Sequence, residues 1–202
     1  MPELPEVETT LRGITPHILG KKIVKIIIRQ PQLRWPIPLQ LKKTLPDKNI
    51  LNISRRGKYL LIHTNAGTLL LHLGMSGSLR VLTANSPAQK HDHVDLVLEH
   101  NLTLRYTDPR RFGCWLWTTK DPSLHPLIKD LGPEPLSENF DASYLYQASR
   151  QRRVPVKPFI MNSHIVVGVG NIYANESLFQ SGINPRRLAG RISLKRYQQL
   201  TR

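Results

Sequence analysis

Tyr59-Leu60-Leu61-Ile62-His63-Thr64-Asn65-Ala66-Gly67-Thr68-Leu69-Leu70-Leu71-His72-Leu73 decides the fold class of the first half of this chain. Two apolar runs, 59–62 and 68–73, flank Asn65-Ala66-Gly67, and short apolar runs joined by Asn and Gly signal a β-hairpin. The same texture extends in both directions. Residues 23–28 are rich in β-branched side chains, and 79–82, 94–98, 102–106 and 114–117 are further short apolar runs. Several short strands separated by turn residues argue for a β-sandwich or barrel. Ahead of them, 5–19 reads as a helix. Pro5 suits a first turn, Val7, Leu11, Ile14 and Ile18 recur at helical spacing, and Gly20 follows as a stop. Pro16 argues against the last turn.

After residue 120 the strand signals cease. Asp121-Pro122-Ser123 and Leu131-Gly132-Pro133-Glu134-Pro135 read as a hinge, followed by helical segments at 139–150, 157–162 and 171–181 and from 193 onward. The expected organisation is therefore α+β, with a strand-rich domain at 1–120, a linker at 121–135 and a helical domain at 136–202. Ser193 is a plausible N-cap, and Leu194, Tyr197 and Leu200 begin an apolar stripe. That stripe reaches Arg202 with no Gly or Pro to stop it, so the helical domain is expected to be cut short.

Composition narrows the partners. The 202 residues carry 29 Lys plus Arg against 14 Asp plus Glu, a formal net charge of +15. Such an excess suits a polyanion, nucleic acid first. No apolar stretch is long enough to span a bilayer and no secretory leader precedes the Met-Pro start, so a soluble cytoplasmic protein is expected. Cys114 is the single cysteine, which excludes an internal disulfide and a four-cysteine zinc site, and no metal or other cofactor is expected.

Several short stretches bear chemistry-capable groups. Met1-Pro2-Glu3-Leu4-Pro5-Glu6-Val7-Glu8 sets three carboxylates beside a proline that becomes the N-terminus once Met1 is removed. An α-amino group has a pKa of roughly 7.7–8.0, so part of it is an unprotonated secondary amine near neutrality. Such an amine attacks a sugar carbon and forms an iminium, while neighbouring carboxylates move protons. The competing reading is a plain acidic helix start. Lys58, in Arg55-Arg56-Gly57-Lys58, is expected at a strand edge, either solvated or reaching a groove. Met75 lies on a glycine-bracketed loop, as gap-filler or apolar wedge. His91-Asp92-His93 sets two imidazoles on one strand face, without the further ligands a metal needs. Asp108-Pro109-Arg110-Arg111-Phe112-Gly113 is a turn whose Arg can meet base edges and whose Phe is either a wedge or buried. Val166-Val167-Gly168-Val169-Gly170-Asn171-Ile172-Tyr173 leads into a helix whose first amides suit phosphate. Arg150, Arg152, Arg153 and Lys157 add charge just upstream.

In combination, Met1-Pro2-Glu3-Leu4-Pro5-Glu6-Val7-Glu8, Leu71-His72-Leu73-Gly74-Met75-Ser76-Gly77, Lys90-His91-Asp92-His93, Tyr106-Thr107-Asp108-Pro109-Arg110-Arg111-Phe112-Gly113 and Gly168-Val169-Gly170-Asn171-Ile172-Tyr173-Ala174 resemble bacterial formamidopyrimidine-DNA glycosylase. The resemblance runs in order from residue 1 to 202. It implies an N-terminal β-sandwich whose helix carries the nucleophile, then a helix–two-turn–helix domain, with DNA in the basic cleft between them. The implied activity is excision of oxidised purines such as 8-oxoguanine and formamidopyrimidines from duplex DNA, with strand cleavage at abasic sites.

By the same resemblance, Pro2 is the nucleophile and Glu3 the proton donor during sugar-ring opening, while Glu6 lines their pocket. Lys58 would hold a flanking phosphate and assist β-elimination. Met75, Arg110 and Phe112 would fill the gap left by the extruded nucleotide, Arg110 facing the orphaned cytosine. His91, Arg153, Lys157 and Asn171 would hold the backbone. A monomer acting in the bacterial cytoplasm is implied. Two departures stand out. The family's C-terminal four-cysteine zinc finger has no counterpart within these residues, and Asn162 stands where an aspartate is expected, which bears on local helix capping. Two further readings are open, a weakly active or inert DNA-binding remnant and a generic basic RNA- or DNA-binding protein.

Overall fold

The computed structural model describes residues 2–202; Met1, on whose removal the expected role of Pro2 depends, lies outside them. The chain divides into two compact units at Ile128/Lys129.

In the first unit the predicted apolar runs become strands. Six of them are β1 (Ile23–Ile28), β3 (Tyr59–Thr64), β4 (Gly67–His72), β6 (Asp92–Leu98), β7 (Leu102–Thr107) and β8 (Cys114–Thr118). The run 79–82 likewise becomes β5 (Ser78–Thr83), and one strand outside the predicted runs is β2 (Ile50–Arg56). They form two antiparallel four-stranded sheets, β1-β6-β7-β5 and β2-β3-β4-β8. Leu60, Ile62, Leu69 and Leu71 of one sheet share a core with Val94, Leu96, Leu104 and Tyr106 of the other. This is the sandwich alternative of the two expected architectures. Leu61 and Leu70 are buried on the opposite face, which is why the hairpin reads as continuous rather than alternating apolar runs.

Helix α1 (Leu4–Ile18) buries Leu4, Val7, Ile14 and Ile18 and lies against β2 and β5, an edge strand of each sheet. The helix runs through Pro16 to Ile18, within a residue of the expected end, although Pro16 argued against its last turn. Proline removes only one N–H bond, and the apolar stripe that ends at Ile18 outweighs the loss. Strand β2 is a second departure, since its bulge between Ile50 and Asn52 and its exposed Leu51 obscure the alternation. A short helix α2 (Leu41–Thr44) was likewise not signalled by periodicity.

The second unit contains α3 (Ala142–Ser149), α4 (Val156–Ile160), α5 (Asn171–Gln180) and α6 (Leu194–Leu200). Its core joins Leu145, Phe159, Ala174, Leu178 and Tyr197. Asp141 caps α3 by accepting the Tyr144 N–H at 2.7 Å, and Ser193 caps α6 as its sequence position suggested. Asn162 accepts the His164 N–H at 3.0 Å, so the amide serves the turn that an aspartate would also cap.

Candidate active site and nucleic-acid interface

The three carboxylates at the head of α1 have three different environments. Glu6 closes a capping box, accepting the Glu3 backbone N–H at 2.8 Å. Glu8 accepts from Arg55 at 2.8 Å and from Arg12 at 2.9 Å, and these guanidinium groups, Arg55 first, hold its carboxyl below the usual range. Glu3 is 1% exposed and follows the half-buried Pro2 directly. A buried carboxyl at this point is not what a solvated acidic first turn requires.

Lys58 occupies the tip of a hairpin rather than the strand edge expected. Arg56 pairs with Tyr59, leaving Gly57-Lys58 as a two-residue turn. Gly57 takes φ +56°, the positive value that primed hairpin turns demand. Burial pulls the Lys58 amine below its ordinary pKa, against the opposing attraction of Glu3 and Glu6. Arg55 fixes this turn to α1, because the guanidinium that binds Glu8 also donates to the Gly57 carbonyl at 2.9 Å. The head of α1 and Lys58 thus share one scaffold.

His72, not singled out among the predicted site residues, belongs beside them. The hairpin register pairs it with Tyr59, the neighbour of Lys58, and their rings meet edge-on at 4.9 Å. That register could have been counted outward from Asn65-Ala66-Gly67. Burial, then the charges of Lys58 and Arg34, push the His72 imidazole down to about 4. Nδ1 accepts the Gly74 N–H at 2.9 Å, which leaves the neutral ring a proton on Nε2.

Met75, His91, Arg110 and Phe112 sit on loops that converge on a residue the sequence reading treated only as part of a turn. Asp108 is fully buried. One carboxylate oxygen accepts the Ser76 hydroxyl at 2.6 Å, and the other accepts the Tyr106 hydroxyl and the Gly113 N–H, each at 2.9 Å. Its backbone N–H donates to the His91 carbonyl at 3.0 Å, and its own carbonyl lies 2.7 Å from His93 Nε2. Ser76 in turn accepts the Arg110 N–H at 3.2 Å. Gly74 and Gly113 permit this closeness. A Cβ on Gly74 would overlap the Phe112–Gly113 peptide, and one on Gly113 would overlap the Tyr106 hydroxyl.

What these loops present is exposed. Met75 is 40% and Phe112 45% exposed, and the Arg110 guanidinium stacks 4.8 Å from the Phe112 ring. Phe112 is therefore not the buried turn aromatic of the bland alternative. The two histidines differ from expectation. His91 precedes β6 and is half-exposed, whereas His93 is buried and committed to Asp108. A bulge between Asp92 and Val94 breaks the regular alternation there. The loop ahead of His91 is anchored by Arg105, which donates to both Asp95 oxygens and to the Ser86 and Pro87 carbonyls.

In the second unit Arg153 is exposed and Lys157 half-buried at the start of α4. Asn171 opens α5 after Gly170, with Gly168 at φ +84° in the preceding turn. No three His, Cys, Asp or Glu side chains gather to hold a metal among the described residues. Cys114 is buried in β8 with its thiol pushed up to about 12, chiefly by burial, so these residues do not fit the zinc site the resemblance implies. No described helix is long and apolar enough to cross a membrane.

Exposed wedge-shaped and cationic tips on a rigid sandwich, followed by a basic helical unit, are the equipment of a protein that works on nucleic acid. Residues 1–115 match the formamidopyrimidine-DNA glycosylase N-terminal domain, and 131–202 match the H2TH domain of the same enzymes. A formamidopyrimidine-DNA glycosylase of Marinobacter nauticus is 60% identical over 200 residues, covering 99% of this chain and 74% of the relative. That of Cellvibrio japonicus is 58% identical over 202 residues, covering 100% and 74%. The Lactococcus lactis enzyme non-covalently bound to DNA containing an AP site superposes with a TM-score of 0.89 at 36% identity, covering 98% of this chain and 77% of that one. Its complex with DNA containing FAPY-dG gives 0.89 at 35%, covering 98% and 76%. The chain belongs to the formamidopyrimidine-DNA glycosylase family, whose members are DNA-binding glycosylases of base excision repair.

Proposed function

We propose that this chain excises oxidised purines, among them 8-oxoguanine and formamidopyrimidines, from duplex DNA and then cleaves the abasic strand by β-elimination. The Pro2 amine, freed by loss of Met1, attacks C1′ of the damaged nucleotide. The base departs with the glycosidic electron pair, and the amine, having shed its proton, becomes an iminium as the sugar ring opens. Glu3 gives a proton to the ring oxygen. Removal of a C2′ proton then expels the 3′ phosphate, with Lys58 holding the phosphate that flanks the lesion.

The remaining residues serve extrusion. A base inside the stack is out of reach, and flipping it costs a few kcal/mol. Met75, Arg110 and Phe112 enter the vacated space and offset part of that cost, while Glu6 lines the pocket. His91, Arg153, Lys157 and Asn171 hold phosphates.

The observation that carries this reading is the buried Glu3 carboxyl, which follows the N-terminal proline and whose charge acts on Lys58, a lysine whose amine burial keeps below its ordinary pKa. A solvated acidic helix start would need neither group sheltered.

Borohydride trapping on a duplex with 8-oxoguanine opposite cytosine, and on an abasic duplex, tests it. A covalent adduct is expected on both, and none from Pro2→Gly acetylated at its N-terminus. Absence of adduct from folded protein whose mass shows loss of Met1 would overturn the mechanism.

A further inference from the structure

Between Ser177 and Arg202 there is no Asp or Glu, yet there are Arg186, Arg187, Arg191, Lys195, Arg196 and Arg202. Two neighbouring arginines of the unit have internal duties. Arg196 donates to the Ser181 and Gly182 carbonyls, each at 2.9 Å, closing the C-terminal end of α5. Arg150 stacks on Tyr146 at 3.9 Å and donates to the Ile192 carbonyl at 2.9 Å. Arg186, Arg187 and Arg191 differ. They are exposed, and their guanidinium groups make no hydrogen bond or ion pair among the described residues.

The backbone beneath them is held firmly. The Val156 N–H donates to the Arg187 carbonyl at 2.8 Å and the Lys157 N–H to the Pro185 carbonyl at 3.3 Å. Leu188 bridges to Pro155, and the Ala189 N–H donates to the Val154 carbonyl at 2.9 Å. The Asn184 side chain accepts the Arg186 N–H at 2.9 Å. These bonds stitch the loop to the start of α4, so its cations adjoin Lys157. Holding like charges together in this way costs repulsion and brings the fold no pairing in return.

The surface is also grooved. A 440 Å³ hollow lined by Arg186, Arg187 and Arg191 shares Arg187 and Arg191 with a 150 Å³ hollow. The latter shares Ser193 and Arg196 with a 650 Å³ hollow that reaches Lys195 and Arg202. Cations line the whole path.

We propose that this groove, from Arg186 and Arg187 past Arg191 to Lys195, is a phosphate track that carries the duplex onward from Lys157, extending the DNA contact on one side of the lesion. It rests on the reading that Lys157 holds the lesion-bearing duplex. Phosphate contacts of this kind add affinity without sequence preference and make it salt-dependent.

The test uses the chain and its Arg186→Ser/Arg187→Ser/Arg191→Ser variant. Fluorescence anisotropy follows binding to a short duplex with a reduced abasic site, and to the same duplex lengthened by one helical turn on either side. Lengthening one side, and only that side, is expected to tighten binding by the wild-type chain and steepen its salt dependence. With three contacts the slope grows by about 2.7, so raising salt from 50 to 200 mM costs the wild type about 40-fold more than the variant. On the short duplex the two proteins bind alike and trap alike with borohydride. Equal salt slopes on the long duplex, or a loss just as large on the short one, would overturn the proposal. So would single-stranded RNA competing better than the long duplex. Failure of the glycosylase reading has a different signature, since the wild type would then give no adduct whatever the flank effect.

Discussion

Replacing Asp108 separates two things the carboxylate does: filling a buried space and accepting three hydrogen bonds. In Asp108→Ala the Tyr106 hydroxyl and the Gly113 N–H, both buried, lose their acceptor, whereas the half-buried Ser76 hydroxyl can turn to water. A stranded buried donor costs about 1–3 kcal/mol, so the two together destabilise by about 2–6 kcal/mol. In Asp108→Asn the amide oxygen can keep Tyr106 and Gly113, and the amide nitrogen then faces Ser76. The Ser76 oxygen already takes the Arg110 N–H and has a second lone pair for it. The loss is then the strengthening that charge confers, about 1–2 kcal/mol. All three tryptophans, Trp35, Trp115 and Trp117, lie in the first unit, so denaturant unfolding followed by their fluorescence reports on it alone. Lesion binding should follow stability, near wild type in Asn and strongly weakened in Ala, because the Met75, His91 and Arg110–Phe112 loops hang on the same residue. Equal losses in Asn and Ala, or an Ala variant within about 1 kcal/mol of wild type, would refute the account.

Stability should also fall with acid through His72. Its folded value of about 4 lies below the ordinary 6.5, so below pH 6.5 the unfolded chain takes up a proton that the folded chain refuses. The contribution is complete above pH 6.5 and is lost on the way down to about 4, at about 1.4 kcal/mol per pH unit and roughly 3 kcal/mol in all. His72→Gln should flatten the stability profile across that window, and an unchanged profile would contradict the burial argument. Phe112→Ala should leave the melting temperature nearly unchanged, since the ring is exposed, yet weaken binding to lesion duplex by about 1–3 kcal/mol, the usual worth of an aromatic stacked on a base. An equal loss on intact duplex would remove its role as a wedge.

Much of this architecture was legible because it is local. β1 appears at residues 23–28 as the β-branched run indicated, and the Asn65-Ala66-Gly67 turn locates the β3–β4 hairpin to within two residues. β2 was missed because it is an edge strand with a bulge, which shifts the inward face midway and leaves Leu51 in solvent. The site divides in the same way. Glu3, Glu6 and Glu8 look equivalent on paper, and the last of them is set apart by Arg12 one turn on and by Arg55, 47 residues away. Asp108 reads as an ordinary turn residue because one of its three donors, Ser76, is 32 residues away, and the burial of the other two depends on strands the turn does not show. Buried polar hubs are assembled by long-range topology, which neither periodicity nor composition records.

The position of α1 against β2 and β5 has a consequence for the newborn protein. The amine is among the first groups to leave the ribosome, but one of the two edges it must dock against is β5 (Ser78–Thr83), and the β2 sheet is complete only with β8 (Cys114–Thr118). Until those strands have been translated, the helix has nowhere to settle and both sheet edges stay open to unwanted pairing. A nascent chain therefore carries Pro2 and Glu3 unsheltered, and the burial of Glu3 is acquired only as the sandwich closes. If Pro2 is the nucleophile proposed above, a translation product that stalls short of β8 has the residue but not the closed sandwich against which its helix is seated.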